Sequence, residues 1–179
     1  AGALRLLATQ PRERAAIVAA PSEPPAVQAR AERLLAPFTG DPTPPPLRLA
    51  DLQGRMHDLA DYRGEVVLIN FWASWCPPCV HEMPSMQALA DRLDPERFEI
   101  LAVNLAEEPG PIRRFVEDLG LRFSVLLDPA GEAITTWRVF AYPTSYVIDR
   151  QGRVRYALFG AIDWMDAPTV ATIEALINE

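Results

Sequence analysis

Two cysteines separated by two prolines are the residues of this 179-residue chain best suited to chemistry. Cys76 and Cys79 are its only cysteines, so neither has another partner for a structural disulfide. A dithiol at this spacing can exchange electrons with other disulfides, because one thiolate attacks a disulfide sulfur and the second thiol resolves the mixed disulfide. The pair favours a redox function, with metal binding, haem attachment and two inert thiols as alternatives.

The elements expected around the pair explain how it would be activated. Residues 65–72 are a nearly continuous apolar run, which predicts a strand buried on both faces, and residues 77–92 predict a helix that begins with two prolines. The unpaired N–H groups and the dipole at a helix start favour a thiolate. We therefore expect Cys76 to attack and the more shielded Cys79, one turn further, to resolve.

The alternatives to redox chemistry each conflict with the sequence. A zinc site requires two more ligands, and His57 and His81 are the only histidines. Attachment of a c-type haem requires a histidine directly after the second cysteine, where Val80 stands. Two inert cysteines fit poorly with Trp75 before the pair and two prolines inside it.

The order of the predicted elements indicates an α/β fold. Residues 1–46 are rich in Ala, Arg and Pro and end in a proline run, so they predict an N-terminal extension with an extended connector and a short helix at 27–38. Residues 47–179 predict a domain with a mixed sheet and helices on both faces. Besides the strand at 65–72 and the helix at 77–92, its expected elements are a hairpin around Gly54, strands at 98–105, 124–127, 144–149 and 153–159, and helices at 110–119, 128–137 and 167–177.

Composition excludes several classes of function. The net charge is -7 and the basic residues are all arginines, so the chain lacks the basic surplus that binds nucleic acid and has no lysine nucleophile. The sequence shows no membrane helix or export signal. No apolar run approaches the roughly 20 residues of a membrane helix, and the apolar segment at residues 1–7 is too short for the apolar part of a signal peptide. We expect either a cytoplasmic protein or one with a leader or anchor upstream of Ala1.

Several motifs along residues 47–179 resemble the thioredoxin-like proteins of the TlpA/ResA/CcmG type. They stand in the family's order, and residues 1–46 have no counterpart. The matching segments are residues 70–79, 82–84, 102–104, 126–131 and 142–149. The resemblance implies a thioredoxin fold: a central mixed β-sheet flanked by helices, with an N-terminal β-hairpin and a central helix–strand insertion at about 107–127.

The resemblance also implies roles for individual residues. Glu82 matches an active-site acid that would take the proton from Cys79. Asn70 stands where ordinary thioredoxins have a buried aspartate, so the acid–base role would pass to Glu82. Pro143 matches a cis-proline beside the cysteines. Glu107 and Glu108 open the insertion, where one of them could face the active site; we expect both to be exposed. The residues expected to contact substrate are Trp75, Pro77, Pro78, Tyr142, Pro143 and Thr144.

The function that the resemblance implies is a protein-disulfide oxidoreductase. We expect a monomeric reductant of specific protein disulfides in the periplasm or another extracytoplasmic compartment, anchored or soluble, with targets in cytochrome c maturation or copper-site assembly. A thiol- or disulfide-bearing protein is the expected substrate and a membrane thiol carrier the electron donor; no cofactor, resident metal or nucleic acid is expected. The alternatives are a disulfide-donating oxidant, a Cu(I)-binding metallochaperone and a non-catalytic interaction module.

Overall fold

The computed structural model describes residues 35–179, which form a mixed six-stranded sheet with helices on both faces and a separate hairpin. The strands are β1 (Ala36–Pro37), β2 (Arg48–Ala50), β3 (Met56–Asp58), β4 (Val66–Trp72), β5 (Phe98–Leu105), β6 (Ser124–Asp128), β7 (Thr144–Ile148) and β8 (Val154–Phe159). The helices are α1 (Pro77–Arg92), α2 (Pro109–Asp118), α3 (Glu132–Thr136) and α4 (Ala167–Ile177), with a 3-10 helix at Leu59–Tyr62.

Strand β4 lies inside the sheet because every one of its residues is apolar or hydrogen-bonded by neighbours. The strand order is β1-β8-β7-β4-β5-β6, in which β4, β5 and β6 are parallel and β7 is antiparallel to β4. All seven residues of β4 are buried, as expected for a strand covered on both faces. Its side chains alternate between two cores, with Leu68 and Trp72 in one and Ile69 and Phe71 in the other.

The two cores assign the helices to opposite faces. Helices α1, α2 and α4 bury Met83, Ile112 and Ile173 on the side of Trp72. Helix α3 and the hairpin segment cover the other face, with Ile134 and Leu59 among their buried side chains. One face of the sheet therefore supports the helix that begins at the cysteine pair.

Most predicted elements are confirmed, and the differences have identifiable causes. The strand at 98–105 and the helices at 77–92 and 167–177 have the predicted bounds. The expected helix at 128–137 begins only at Glu132, because residues 128–131 form a turn closed by a hydrogen bond from the Gly131 N–H to the Asp128 carbonyl. The Asp128 side chain still accepts from the Ile134 N–H.

The predicted helix at 27–38 is wrong at its C-terminal end. Ala36 and Pro37 form β1, which pairs with β8 at Ala157 and Tyr156, so two residues of the predicted extension join the sheet edge. Residues 27–34 of that segment lie outside the described residues, and the boundary between 46 and 47 stays a prediction. Among the described residues, no helix has the length and apolar character to cross a membrane.

Candidate active site

The cysteine pair lies at the junction between β4 and α1. Cys76 is the N-cap residue of α1 and is joined to Cys79 by a disulfide, with the two Cα atoms 5.3 Å apart. Cys79 is fully buried in the first turn, whereas Cys76 keeps 5% of its surface exposed. The more exposed cysteine is thus the one that the sequence predicts to attack.

Two prolines occupy the first two positions of α1. Pro77 and Pro78 have the backbone angle of a helix start but carry no N–H, so they remove two of the donors that a helix N-terminus normally presents. The Val80 N–H is already bonded to the Cys76 carbonyl. The Cys79 N–H is therefore the first-turn donor that remains for the Cys76 side chain, as in a capped helix.

The start of β7 brings a second loop to the cysteines. Thr144 pairs with Phe71 near the end of β4, which places Pro143 beside the β4–α1 junction. The Tyr142–Pro143 peptide is cis, as the resemblance implies. Tyr142 meets Trp75 edge-to-face with ring centroids 5.9 Å apart, so residues from distant parts of the chain share one surface next to Cys76.

Glu82 is a buried carboxyl group one helical turn after Cys79. It is 2% exposed, and its position three residues beyond Cys79 places both side chains on the same face of α1. Burial raises the pKa of Glu82 to about 7, although hydrogen bonds from Trp164, Asn70 and the Ile162 N–H oppose the shift. The carboxyl can therefore gain or lose a proton near neutral pH.

The donors around Glu82 hold both of its oxygens. Asn70 Nδ2 donates to Oε1 at 2.7 Å and to the Ser145 hydroxyl at 2.9 Å. Trp164 Nε1 donates to Oε2 at 3.0 Å, and the Ile162 N–H donates to the same oxygen at 3.4 Å. Asn70 thus contacts the acid that was expected to replace the aspartate of ordinary thioredoxins. Trp164 was missed in the sequence, where nothing connects it with Glu82.

Glu107 corrects the sequence prediction that both glutamates of the insertion are exposed. It is half-buried and accepts hydrogen bonds from the Ser74 N–H (2.8 Å), the Ser74 hydroxyl and Asn104 Nδ2 (2.7 Å). Glu108 is exposed as expected. A charged residue two positions after a strand that ends beside the active site was the signal for Glu107. Its hydrogen bonds hold the loop before Cys76.

The two histidines lie apart and do not complete a metal site with the cysteines. His57 is buried in the hairpin, within hydrogen-bond distance of Tyr62 and of Asp51 (Nε2 to Oδ2, 2.9 Å). His81 is exposed on α1. In the described part of the chain, no group of three or more His, Cys, Asp or Glu side chains has the arrangement to hold a metal ion.

A groove of about 860 Å³ opens beside the start of α1. Pro77, Pro78 and His81 line one side, and Ala161 and Ile162 line the other. The predicted contact residues Pro77 and Pro78 are both exposed there, while Pro143 and Thr144 are buried beside the cysteine loop. The structure therefore gathers the predicted site residues around one end of the sheet.

Comparison with known proteins gives a consistent relationship. The AhpC/TSA family matches residues 39–157. The thiol-disulfide oxidoreductase ResA of Geobacillus thermodenitrificans is 39% identical over 120 residues, which cover 67% of this chain and 69% of the relative.

Solved structures show the same fold. A candidate thiol:disulfide interchange protein DsbE from Chlorobium tepidum has a TM-score of 0.71 at 30% identity, covering 78% of this chain and 99% of that one. The exposed lipoprotein thioredoxin of Streptococcus pneumoniae has a TM-score of 0.61 at 27% identity, covering 73% and 99%. The predicted thioredoxin fold is confirmed, and the chain belongs to the AhpC/TSA family as a thioredoxin-like protein-disulfide oxidoreductase.

Proposed function

We propose that the protein is a reductant of specific protein disulfides, acting as a monomer in an extracytoplasmic compartment through Cys76 and Cys79. The observation that carries this proposal is the buried carboxyl of Glu82, one turn from the buried Cys79, with a pKa of about 7. A proton acceptor at this place serves the step in which a shielded thiol must become a nucleophile.

The reaction begins with the reduced dithiol. The Cys76 thiolate attacks one sulfur of a substrate disulfide, forming a mixed disulfide and releasing the other substrate sulfur as a thiolate. Cys79 then loses its proton and attacks the Cys76 sulfur. The mixed disulfide breaks, the second substrate sulfur leaves as a thiolate, and the enzyme is left with the Cys76–Cys79 disulfide. Two electrons have passed from the enzyme to the substrate.

Glu82 takes the proton from Cys79 in the second step. Ionised Glu82 is needed for this role, so the step should accelerate as pH rises through about 7. The hydrogen bonds of Asn70 and Trp164 stabilise the ionised form of this buried carboxyl. Trp75 and Tyr142 form the surface on which a substrate segment lies, and Pro143 and Thr144 are buried beneath it.

The compartment and the direction rest on relatives. The chain resembles a protein described as an exposed lipoprotein, which supports a location outside the cytoplasm. The ResA-type resemblance supports targets in cytochrome c maturation or copper-site assembly and a membrane thiol carrier as the electron donor.

The reduction potential tests the direction of electron flow. We expect equilibration with glutathione to give a value below about -200 mV, as in reducing members of the fold, whereas a value near -120 mV would identify a disulfide donor. Trapping of mixed disulfides identifies the substrate. Cys79→Ala should hold substrates on Cys76 as mixed disulfides, and the double variant Cys76→Ala/Cys79→Ala is the matched control. Equal recovery from both variants would contradict an attack by Cys76.

The role of Glu82 is tested by Glu82→Gln. The rate at which the mixed disulfide is resolved should rise near pH 7 in the natural protein and lose that inflection in the variant. Glu108→Gln, at an exposed carboxyl, is the control. An inflection near pH 7 that survives in Glu82→Gln would show that Glu82 is not the proton acceptor.

A further inference from the structure

Four aromatic side chains belong to the segments that flank the buried Pro143. They form two contacting pairs: Trp75 with Tyr142, and Phe140 with Phe159, whose rings stack with centroids 5.9 Å apart. We call Trp75, Phe140, Tyr142 and Phe159 the aromatic face. Trp75 and Tyr142 were expected from the sequence to contact substrate; Phe140 and Phe159 were not.

Aromatic side chains are usually buried, but most of those in the aromatic face are exposed to solvent. Phe140 is 82% exposed and Phe159 57%, although each ring covers part of the other. Of the five large apolar side chains that the described residues leave exposed, three belong to this face; the other two are Met56 in β3 and Leu119, which directly follows α2. Exposed apolar side chains that cluster in this way usually mark an interaction site.

The backbone fixes Phe159 beside the active-site loop. Phe159 pairs with Thr144 at the end of β8, and the next N–H, that of Gly160, donates to the Pro143 carbonyl at 2.8 Å. Phe140 stands two residues before Tyr142, so their Cα atoms are at most about 7 Å apart. The stacked pair and the Trp75–Tyr142 pair are therefore joined through the segment that contains Pro143.

We infer that Phe140 and Phe159 bind an apolar segment of the substrate protein, close in sequence to the cysteine that reacts with Cys76. This inference rests on the proposed function, because disulfide exchange itself brings a substrate chain onto the surface beside Cys76. The Trp75 ring, next to Cys76, lies 5.9 Å from the Tyr142 ring, and Tyr142 lies up to about 7 Å from Phe140. An extended chain advances about 3.3 Å per residue, so an apolar side chain roughly two to four positions from the substrate cysteine covers this span. Aromatic or branched aliphatic side chains fit two exposed rings best.

The test compares two short peptides that carry one cysteine each and are used as symmetric disulfides. One peptide has Phe and Leu at the positions two to four residues from its cysteine, and the other has Ser and Asn there. The reduced enzyme passes two electrons to each peptide disulfide, and acid quenching with mass spectrometry follows the two peptide thiols formed. We expect the apolar peptide to react about tenfold faster, equivalent to about 1.4 kcal/mol.

Substitutions test whether Phe140 and Phe159 cause the faster reaction of the apolar peptide. Phe140→Ser, and Phe140→Ser combined with Phe159→Ser, should reduce the ratio of the two rates towards one, while Leu119→Ala, at an exposed apolar residue directly after α2, should keep it. The single variant covers the case in which the double variant fails to fold, as judged by circular dichroism. A ratio that stays near tenfold in the Phe140 variant would overturn the inference, as would a ratio of one in the natural protein.

Other occupants of the aromatic face give different results. Dimerisation in sedimentation experiments that Phe140→Ser abolishes would assign the face to a second copy. Binding to phosphatidylglycerol vesicles that the same variant abolishes would assign it to a membrane. Either result, with no peptide preference, contradicts the inference. A natural protein that reduces neither peptide contradicts the proposed function as well, whereas equal reduction of both contradicts only the peptide preference.

Discussion

A carboxyl group as deeply buried as that of Glu82 retains a charge only where hydrogen-bond donors replace the lost water. Three donors do so here, and two of them meet at Oε2: the Trp164 indole and the Ile162 N–H. The indole is the shorter contact, at 3.0 Å, and belongs to a fully buried residue. Trp164 is therefore a positioning residue that sets how readily Glu82 gives up its proton.

Replacing Trp164 with Phe removes this donor while it keeps an aromatic ring in the core. Because the hydrogen bond lowers the pKa of Glu82, its loss should raise that pKa further above about 7. We expect the pH inflection of mixed-disulfide resolution to move upward by about one pH unit. Stopped-flow measurement of resolution between pH 5 and 9, a range chosen to bracket the inflection, checks the shift.

Trp137→Phe is the matched control for this change. Trp137 is also a buried tryptophan whose indole N–H donates, but it donates to the Pro46 carbonyl on the opposite face of the sheet. Its loss should cost stability and leave the inflection in place. If both variants move the inflection equally, the effect is structural and Trp164 has no specific action on Glu82.

At the scale of elements, the start of α1 controls the stability of the Cys76 thiolate. Pro77 and Pro78 leave the Cys79 N–H as the first-turn donor that can reach Cys76. Pro78→Ala restores a backbone N–H in the first turn, and a further donor stabilises the thiolate and hence the reduced form. We expect the reduction potential to become less negative by about 30 mV, which corresponds to about 1.4 kcal/mol for a two-electron couple.

The same helix offers a control for Pro78→Ala. Pro84 lies inside α1 and is exposed, so Pro84→Ala should raise the stability of the helix without adding a donor near Cys76. The reduction potential of Pro84→Ala should equal that of the natural protein. A potential that is unchanged in Pro78→Ala would mean that the added N–H does not reach the Cys76 thiolate.

Glu107 connects the loop before Cys76 with the end of β5. Glu107→Ala leaves the Ser74 N–H and Asn104 without their acceptor, so we expect a loss of about 1–3 kcal/mol in the free energy of unfolding and slower exchange at Cys76. Urea unfolding of the oxidised protein measures the first effect. The neighbouring Glu108→Ala changes an exposed residue and should alter neither quantity; equal losses in both variants would contradict the anchoring role of Glu107.

The sequence predicted those elements whose signal is local. Strand β4 is apolar throughout, and α1 follows two prolines, so neither depends on knowledge of distant partners. Strand β1 was missed because its two residues are extended only through pairing with β8, about 120 residues later in the chain. Trp164 was missed for the same reason: its contact with Glu82 joins residues separated by 82 positions.

At the scale of the whole molecule, buried carboxyl groups with opposite pKa shifts shape the dependence of stability on pH. Burial alone would raise the pKa of Asp149, but bonds from Arg153 and Arg155 hold it below its usual value. Its contribution to stability is complete above pH 3.8 and is lost as the pH falls through its lower folded-state value. Asp51 in the hairpin has a lowered pKa and acts in the same direction.

Glu82 acts in the opposite direction. Its pKa rises from 4.5 to about 7 on folding, so between these values the folded state binds more protons than the unfolded state. Stability therefore declines as pH rises through this interval, by about 3 kcal/mol from this group alone. The side chain in Glu82→Gln cannot ionise, so this variant avoids the loss. Relative to the natural oxidised protein, its free energy of unfolding should therefore increase by about 3 kcal/mol between pH 4 and 8.

Urea unfolding across this range measures the difference, with Glu108→Gln as the control. Parallel stability curves for Glu82→Gln and the natural protein would mean that Glu82 does not titrate in this interval, and they would remove the physical basis for its role as the proton acceptor of Cys79.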